Sequence, residues 1–315
     1  MPPPPTLSLI VPTRGRPAPL RRFLDSVAST ARRPERIEVV LVVDDDDPVS
    51  LAVCHRRLNI RHVVGPAGRT MGALNAAGYA ASAGDFVMLL NDDVVVRTRG
   101  WDDTVLGCFE RFPDRLALVH VNDTLVRDRL CVFPLVGRRF CELAGEICPT
   151  DYRRYRIDDH IEDVFNLLAV LGERRTVYLP DVVFEHRNAV VHPTAGRVYQ
   201  SDPTILAEDA PRFDAHFPAR KELALRVMAA TGGRGDPAAW RDRLSCVSDP
   251  FALRTPGRQY VVRAAWWKRV PGDAAAWVKR AGARVRTRYR LEGGGGLVHA
   301  AGRQVARMGW GSGSK

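Results

Sequence analysis

The sequence predicts an α/β fold, a mostly parallel central sheet flanked by helices, with a mainly helical C-terminal appendage. Three observations carry that expectation. The short apolar runs at 7–12, 37–43 and 86–90 lack polar alternation, as strands buried on both faces do. Segments of helical periodicity separate them, and that alternation puts helices on the faces of a parallel sheet. Beyond Asn188 the strand pattern stops, and stretches near 202–210, 221–230 and 237–244 read as helices.

The elements follow in order. After the first strand, Thr13-Arg14-Gly15-Arg16-Pro17 is a loop of polar and breaking residues. Leu20, Phe23, Leu24 and Val27 then recur at helical spacing, with Pro17 and Pro19 where a first turn tolerates them. The second strand empties into Asp44-Asp45-Asp46-Asp47-Pro48. A helix is expected over 49–58, a strand over 60–64 and a glycine-rich loop at 65–69. Thr70 caps a helix running from Met71 to about Ala83, whose Gly72, Ala76 and Gly78 allow close packing on a sheet. The fourth strand, 86–90, runs into Asn91-Asp92-Asp93. Trp101, Val105, Phe109 and Phe112 mark a helix, 116–121 a strand, and 122–156 an irregular stretch with an antiparallel element. Ile161, Val164, Phe165, Leu168 and Leu171 form an amphipathic helix closed by Gly172, and two short strands, 176–179 and 182–184, lead to Glu185-His186-Arg187.

Composition bounds the function. With 45% hydrophobic and 26% charged residues in 315, the chain can bury a sizeable core. No run reaches the roughly 18–20 apolar residues of a spanning helix, and Met1-Pro2-Pro3-Pro4-Pro5 lacks the pattern of a signal peptide. The expected address is therefore cytoplasmic. Six cysteines without a Cys-x-x-Cys pair exclude a readable zinc ribbon and are expected to be reduced thiols, mostly in the core. Of the net charge of +11, the stretch from Arg254 holds 14 Lys and Arg against Asp273 and Glu292, so the basic character belongs to the tail. There Trp266, Trp267 and Trp277 alternate with Lys268, Arg269, Lys279 and Arg280. Such a segment suits either a peripheral contact of residues 260–290 with the inner membrane face or helices packed on the rest of the chain. No nucleic-acid recognition motif accompanies the charge.

Thr13-Arg14, Asp44-Asp45 and Asp92-Asp93 fall at the carboxyl ends of strands expected to be parallel, where one rim gathers ligands. Asn-Asp-Asp is also ordinary turn chemistry, but two acids on such a rim have the look of a cation site. Leu9-Ile10-Val11-Pro12-Thr13, Val43-Asp44-Asp45, Gly72-Ala73-Leu74-Asn75-Ala76-Ala77, Gly84-Asp85-Phe86, Asn91-Asp92-Asp93 and Val183-Phe184-Glu185-His186 together resemble family 2 glycosyltransferases over roughly residues 6–188. The resemblance implies the GT-A fold: a catalytic domain over 1–190 with a Rossmann-like nucleotide-sugar-binding half (6–95) and an acceptor and metal half (96–190). The helical, basic region 191–315 follows.

It also implies roles. Thr13 and Asp44, or Asp45, would hold the base and ribose, with Arg14 and Asn75 in the same donor-binding set. Arg69 would meet the diphosphate, where a guanidinium and nearby backbone donors suit its charge. Asn91 replaces the first acid of the family's Asp-x-Asp motif; Asp93 is left to a divalent cation and Asp92 to the ribose or donor sugar. His186 would complete a Mn2+ or Mg2+ site, its imidazole tilting the choice to Mn2+. The segment Ile157-Asp158-Asp159-His160-Ile161-Glu162-Asp163 matches the region of the catalytic base, for which the order of preference is Asp159, then Asp163 and Asp158.

The reading is a metal-dependent glycosyltransferase moving a sugar from a nucleoside diphosphate to a hydroxyl acceptor, by inversion. The acceptor could be a glycan, a lipid-linked or a small molecule. A retaining transferase shares the same donor site. A sugar-phosphate nucleotidyltransferase is the second reading, although Pro12-Thr13-Arg14-Gly15-Arg16 is poor in glycine for it. A non-catalytic nucleotide-sugar or membrane-binding module is the third.

Overall fold

The computed structural model describes residues 7–187 and 203–248, together with the backbone of 259–261. Four strands, β1 (Leu7–Thr13), β2 (Ile37–Asp44), β3 (Asn59–Gly65) and β4 (Phe86–Leu89), run parallel in the spatial order β3-β2-β1-β4. Every residue of β2 is buried, which is why it shows no polar alternation. The pleat splits the core in two: Leu7, Leu9 and Val11 face α1 (Pro17–Thr30) and α4 (Trp101–Gly107), while Ile10, Val40 and Val42 face the cluster that Met71 and Leu74 of α3 (Met71–Ala81) cover. Gly78 permits that approach, since a Cβ there would lie 2.5 Å from Ile10 Cγ2 and 2.9 Å from Val42 Cγ2.

The helix expected over 49–58 is a single turn, α2 (Pro48–Leu51), capped by Asp47 and followed by a turn at 56–58. Beyond β4 the sheet turns mixed. In it, β7 (Leu135–Gly137) runs antiparallel to β4 and to β6 (Leu118–Asn122), supplying the antiparallel element expected within 122–156. No sequence pattern marks an element at β5 (Val94–Val96), at α5 (Arg138–Ala144) or, beyond Asn188, where no strand is expected, at β9 (Gln259–Val261). The two short strands expected near the end of the domain are one, β8 (Thr176–His186), which continues through Pro180 with its register against β6 shifting at Val121/Asn122. The end of β8, from Phe184 to His186, pairs antiparallel with β5, while β9 runs parallel beside its start, from Thr176 to Tyr178.

The appendage begins as three helices, α7 (Pro203–Ala215), α8 (Phe217–Ala230) and α9 (Pro237–Ser245). Phe213, Leu223, Ala224, Val227, Trp240 and Leu244 join the apolar cluster that holds Ile161, Val164 and Phe165 of α6 (Ile157–Val170), so these helices share a core with the domain before them. The tryptophan-rich basic stretch lies outside the described residues. All six cysteines are free thiols, with Cys131, Cys141 and Cys148 buried. Among the described residues no helix is long and apolar enough to cross a membrane.

Candidate active site

Because β1, β2 and β4 are parallel neighbours, Thr13, Asp44 and Asn91-Asp92-Asp93 emerge on one rim. The last part arrives from the other end of the chain: β5 follows Asp93 directly, and its antiparallel register sets Val94 opposite His186. His186 Nε2 lies 3.4 Å from Asp93 Oδ1. A cavity of about 240 Å3 opens there, lined by Arg16, Asn75, Asn91, Asp92, Asp93, Arg154, Tyr155, Asp158 and His186 among others.

The two acids behind Asn91 have different surroundings. Asp92 is buried and forked by Arg16, whose Nε donates to Oδ2 at 3.2 Å while Nη2 donates to Oδ1; Thr13 Oγ1 donates to Oδ2 at 2.8 Å. Its charge is therefore met by the protein itself. Asp93 is held differently. Burial pushes its pKa up, but the bond and charge of His186, and then Arg16 3.3 Å from Oδ2, bring it down to about 2. For His186 burial acts to lower the pKa, and Asp93 outweighs it, so the imidazole is raised. The long 3.4 Å contact with His186 aside, buried Asp93 Oδ1 has no hydrogen-bond partner. An ionised oxygen in that condition, facing an imidazole nitrogen, fits two ligands of one divalent cation whose other positions substrate oxygens would fill.

On the neighbouring strand Asp44 accepts from Arg14 Nη1 at 2.7 Å and lies 3.5 Å from Arg69 Nη2, while its Oδ1 is buried without a hydrogen bond. Arg69 is pinned in turn, donating to the Val43 carbonyl at 3.1 Å and the Pro66 carbonyl at 3.0 Å. Asp45 is exposed, and only its amide closes the strand end, on the Gly65 carbonyl at 2.9 Å. Asn75 lines the cavity from α3 and donates to the Met71 carbonyl at 3.0 Å. Thr13, Arg14, Asp44, Asp45 and Arg69 do not line the cavity; they form its flank toward β2.

The acids at the start of α6 are separated by helix phase. Arg156, at φ +72°, is the left-handed residue from which the helix starts. That start turns Asp158 to the cavity, where it also accepts the Asp159 amide at 3.0 Å. Asp159 is buried 3.3 Å from Arg156 Nη1. Asp163 lies at the interface with α8, paired with Arg220 Nε at 2.6 Å. Of the three acids, Asp158 is the one that lines the cavity with Asp93 and His186, whereas Asp159 and Asp163, preferred from the sequence, do not.

Arg16, Arg154 and Tyr155 were missed. Arg16 had a signal: it stands one residue before the proline that opens α1, so the helix start fixes it where the Thr13 strand ends. Arg154 and Tyr155 sit in an irregular loop with no periodic signal.

Residues 8–124, which include β1 to β6, the aspartate-rich turn and Asn91-Asp92-Asp93, match Glycosyl transferase family 2. That match spans just over a third of the chain. The fold is the α/β arrangement expected, a mixed sheet with flanking helices. No curated protein matches. Among solved structures, a mannosyltransferase from Pyrobaculum calidifontis in complex with GDP-Man and Mn2+ is similar at 17% identity and a TM-score of 0.47, over 96% of this chain and 80% of that one. TarS 1-349 from S. aureus in complex with UDP-GlcNAc is similar at 13% and 0.48, over 95% and 92%. Glucosyl-3-phosphoglycerate synthase from Mycobacterium tuberculosis, with Mn2+, uridine diphosphate and phosphoglyceric acid, is similar at 14% and 0.42, over 74% and 80%. Likenesses this distant carry no donor or acceptor specificity.

Proposed function

We propose that this chain is a glycosyltransferase that moves a sugar from a nucleoside diphosphate to a hydroxyl acceptor, with inversion, and that its donor site is the rim of β1, β2 and β4. The observation that carries the reading is a single cavity lined by Asp93, His186 and Asp158. Asp93 and His186 would hold Mn2+ or Mg2+, which supplies charge to stabilise a departing diphosphate. Asp44, with its buried unbonded oxygen, is suited to accept from a base N–H, and Arg69 beside it offers a guanidinium toward the phosphates. Asp92, fixed by Thr13 and Arg16, is left to accept from a hydroxyl of the ribose or the donor sugar. Asp158 takes the proton of the acceptor hydroxyl as its oxygen attacks the anomeric carbon. The carbon–oxygen bond to the diphosphate then breaks, and its electron pair stays on the diphosphate. A general base of this kind contributes about 10²–10⁴-fold in rate. In this scheme 6–95 binds the donor and brings Asp93 to the metal, 96–190 supplies His186 and the acceptor contacts, and 191–315 supports them.

The test is release of nucleoside diphosphate from UDP-glucose, UDP-GlcNAc and GDP-mannose with Mn2+, with water as the acceptor of last resort. Turnover is expected with at least one donor, and Asp158→Asn should lower kcat about 100-fold while leaving nucleoside diphosphate affinity within about twofold. Pyrophosphate release from a nucleoside triphosphate and a sugar phosphate would instead identify a nucleotidyltransferase.

A further inference from the structure

The loop that carries Arg154 and Tyr155 into the cavity has no secondary structure of its own, and the α6 helix it feeds has no side-chain cap at Arg156. Loops of this kind hold their shape only if their backbone donors are met. One fully buried side chain meets three in a row: Asp209 of α7, through Oδ1, accepts the Arg153 amide at 2.8 Å and, through Oδ2, the Arg154 amide at 2.9 Å and the Tyr155 amide at 2.8 Å. Arg212, one turn on, backs the carboxylate at 3.1 Å. From the opposite side the Arg153 and Tyr152 carbonyls accept the Met71 and Gly72 amides, each at 2.9 Å, at the start of α3. The loop is thus strung between the donor-binding half and a helix far beyond the segment that matches the family.

We propose that Asp209 is a positioning residue for the transfer reaction: by gathering the amides of 153–155 it sets the left-handed start of α6 at Arg156 and hence the placement of Asp158 and of the acceptor-side wall of the cavity. The proposal rests on the reading of Asp158 as base. It makes α7 part of the active-site machinery. Two carboxylate oxygens are needed, because an amide in their place would turn an NH2 toward backbone N–H groups.

The experiment uses the full chain, wild type and Asp209→Asn, Asp158→Asn and the double variant. Two readouts are taken on each: kcat and KM for nucleoside diphosphate release, and backbone amide exchange of residues 153–158, which does not depend on turnover. Asp209→Asn is expected to raise amide exchange there at least tenfold and to lower kcat at least tenfold with donor KM within about twofold. The double variant should be no slower than Asp158→Asn alone, since both changes act through one group. Unchanged exchange in Asp209→Asn overturns the proposal, as do multiplicative losses in the double variant. If the wild type releases nucleoside diphosphate from no donor while the exchange still rises in Asp209→Asn, the ordering role stands and the transferase reading falls. Should Asp209→Asn not fold, Arg212→Ala gives the same readouts in weaker form: a severalfold rise in exchange supports the proposal, and exchange unchanged from wild type overturns it.

Discussion

Replacing Asp163 by Asn separates structure from catalysis within the acid-rich start of α6. Asp163 is 3% exposed and Arg220 is fully buried, and their contact of 2.6 Å joins α6 to α8. Removing one partner of a buried pair costs about 3–5 kcal/mol, because the other charge stays out of water. Arg220 keeps its bond to the Phe213 carbonyl at 2.6 Å and lies 3.8 Å from the centre of the Phe213 ring, so the lower end of that range, about 3 kcal/mol, is expected. At about 2–4 °C per kcal/mol for a domain of this size, the melting temperature should fall by about 6–12 °C. The assay is thermal unfolding followed by circular dichroism, with turnover measured well below the transition. Turnover per folded molecule should hold. A melting temperature within about 2 °C of wild type would refute the pairing. Loss of turnover at unchanged stability would return the role of base to Asp163.

Glu162 gives a pH prediction. Burial, more than the nearby Asp158 and Asp163 charges, pushes its pKa up to about 8, against the amide of Cys131 that favours the ionised form. Below about pH 4.5 it is protonated whether the chain is folded or not; between 4.5 and 8 only the folded chain holds the proton, so stability falls as pH rises, by up to about 1.4 kcal/mol per unit, and levels off above 8. That titration is absent in Glu162→Gln, which should therefore lose less stability than wild type between about pH 5 and pH 8 in urea unfolding; parallel curves would contradict the assignment. Gly78→Ala should destabilise by about 1–3 kcal/mol despite the better helix propensity of alanine, because the added Cβ drives α3 off Ile10 and Val42. Equal midpoints in urea would show that α3 can shift without cost.

Much of the fold was legible because burial writes itself into β1, β2 and β4 as nearly continuous apolar runs, and because parallel pairing sends their ends to one rim. What escaped depends on distant partners. Val94–Val96 is too short to read as a strand until β8 pairs with it, and β8 hides its continuity behind Pro180. The helix at 49–58 failed because Asp47 and Pro48 start a turn that the residues after Leu51 do not sustain. The candidate site followed the same division. Asp44, Asp93 and His186 stand at the strand ends the sequence pointed to, whereas which of Asp158, Asp159 and Asp163 faces the cavity depends on helix phase, set by a left-handed arginine and two ion pairs to residues with no motif. The Arg16 fork on Asp92 is likewise a tertiary contact, between residues 76 apart in sequence.

The most direct test of the rim as a metal and diphosphate site is a calorimetric titration of UDP and of GDP, with and without Mn2+, into wild type and Asp93→Ala. Mn2+ is expected to tighten binding of one nucleotide at least tenfold in the wild type and by less than twofold in the variant. Equal Mn2+ enhancement in Asp93→Ala, or wild-type binding indifferent to Mn2+, would contradict the assignment of Asp93 and His186.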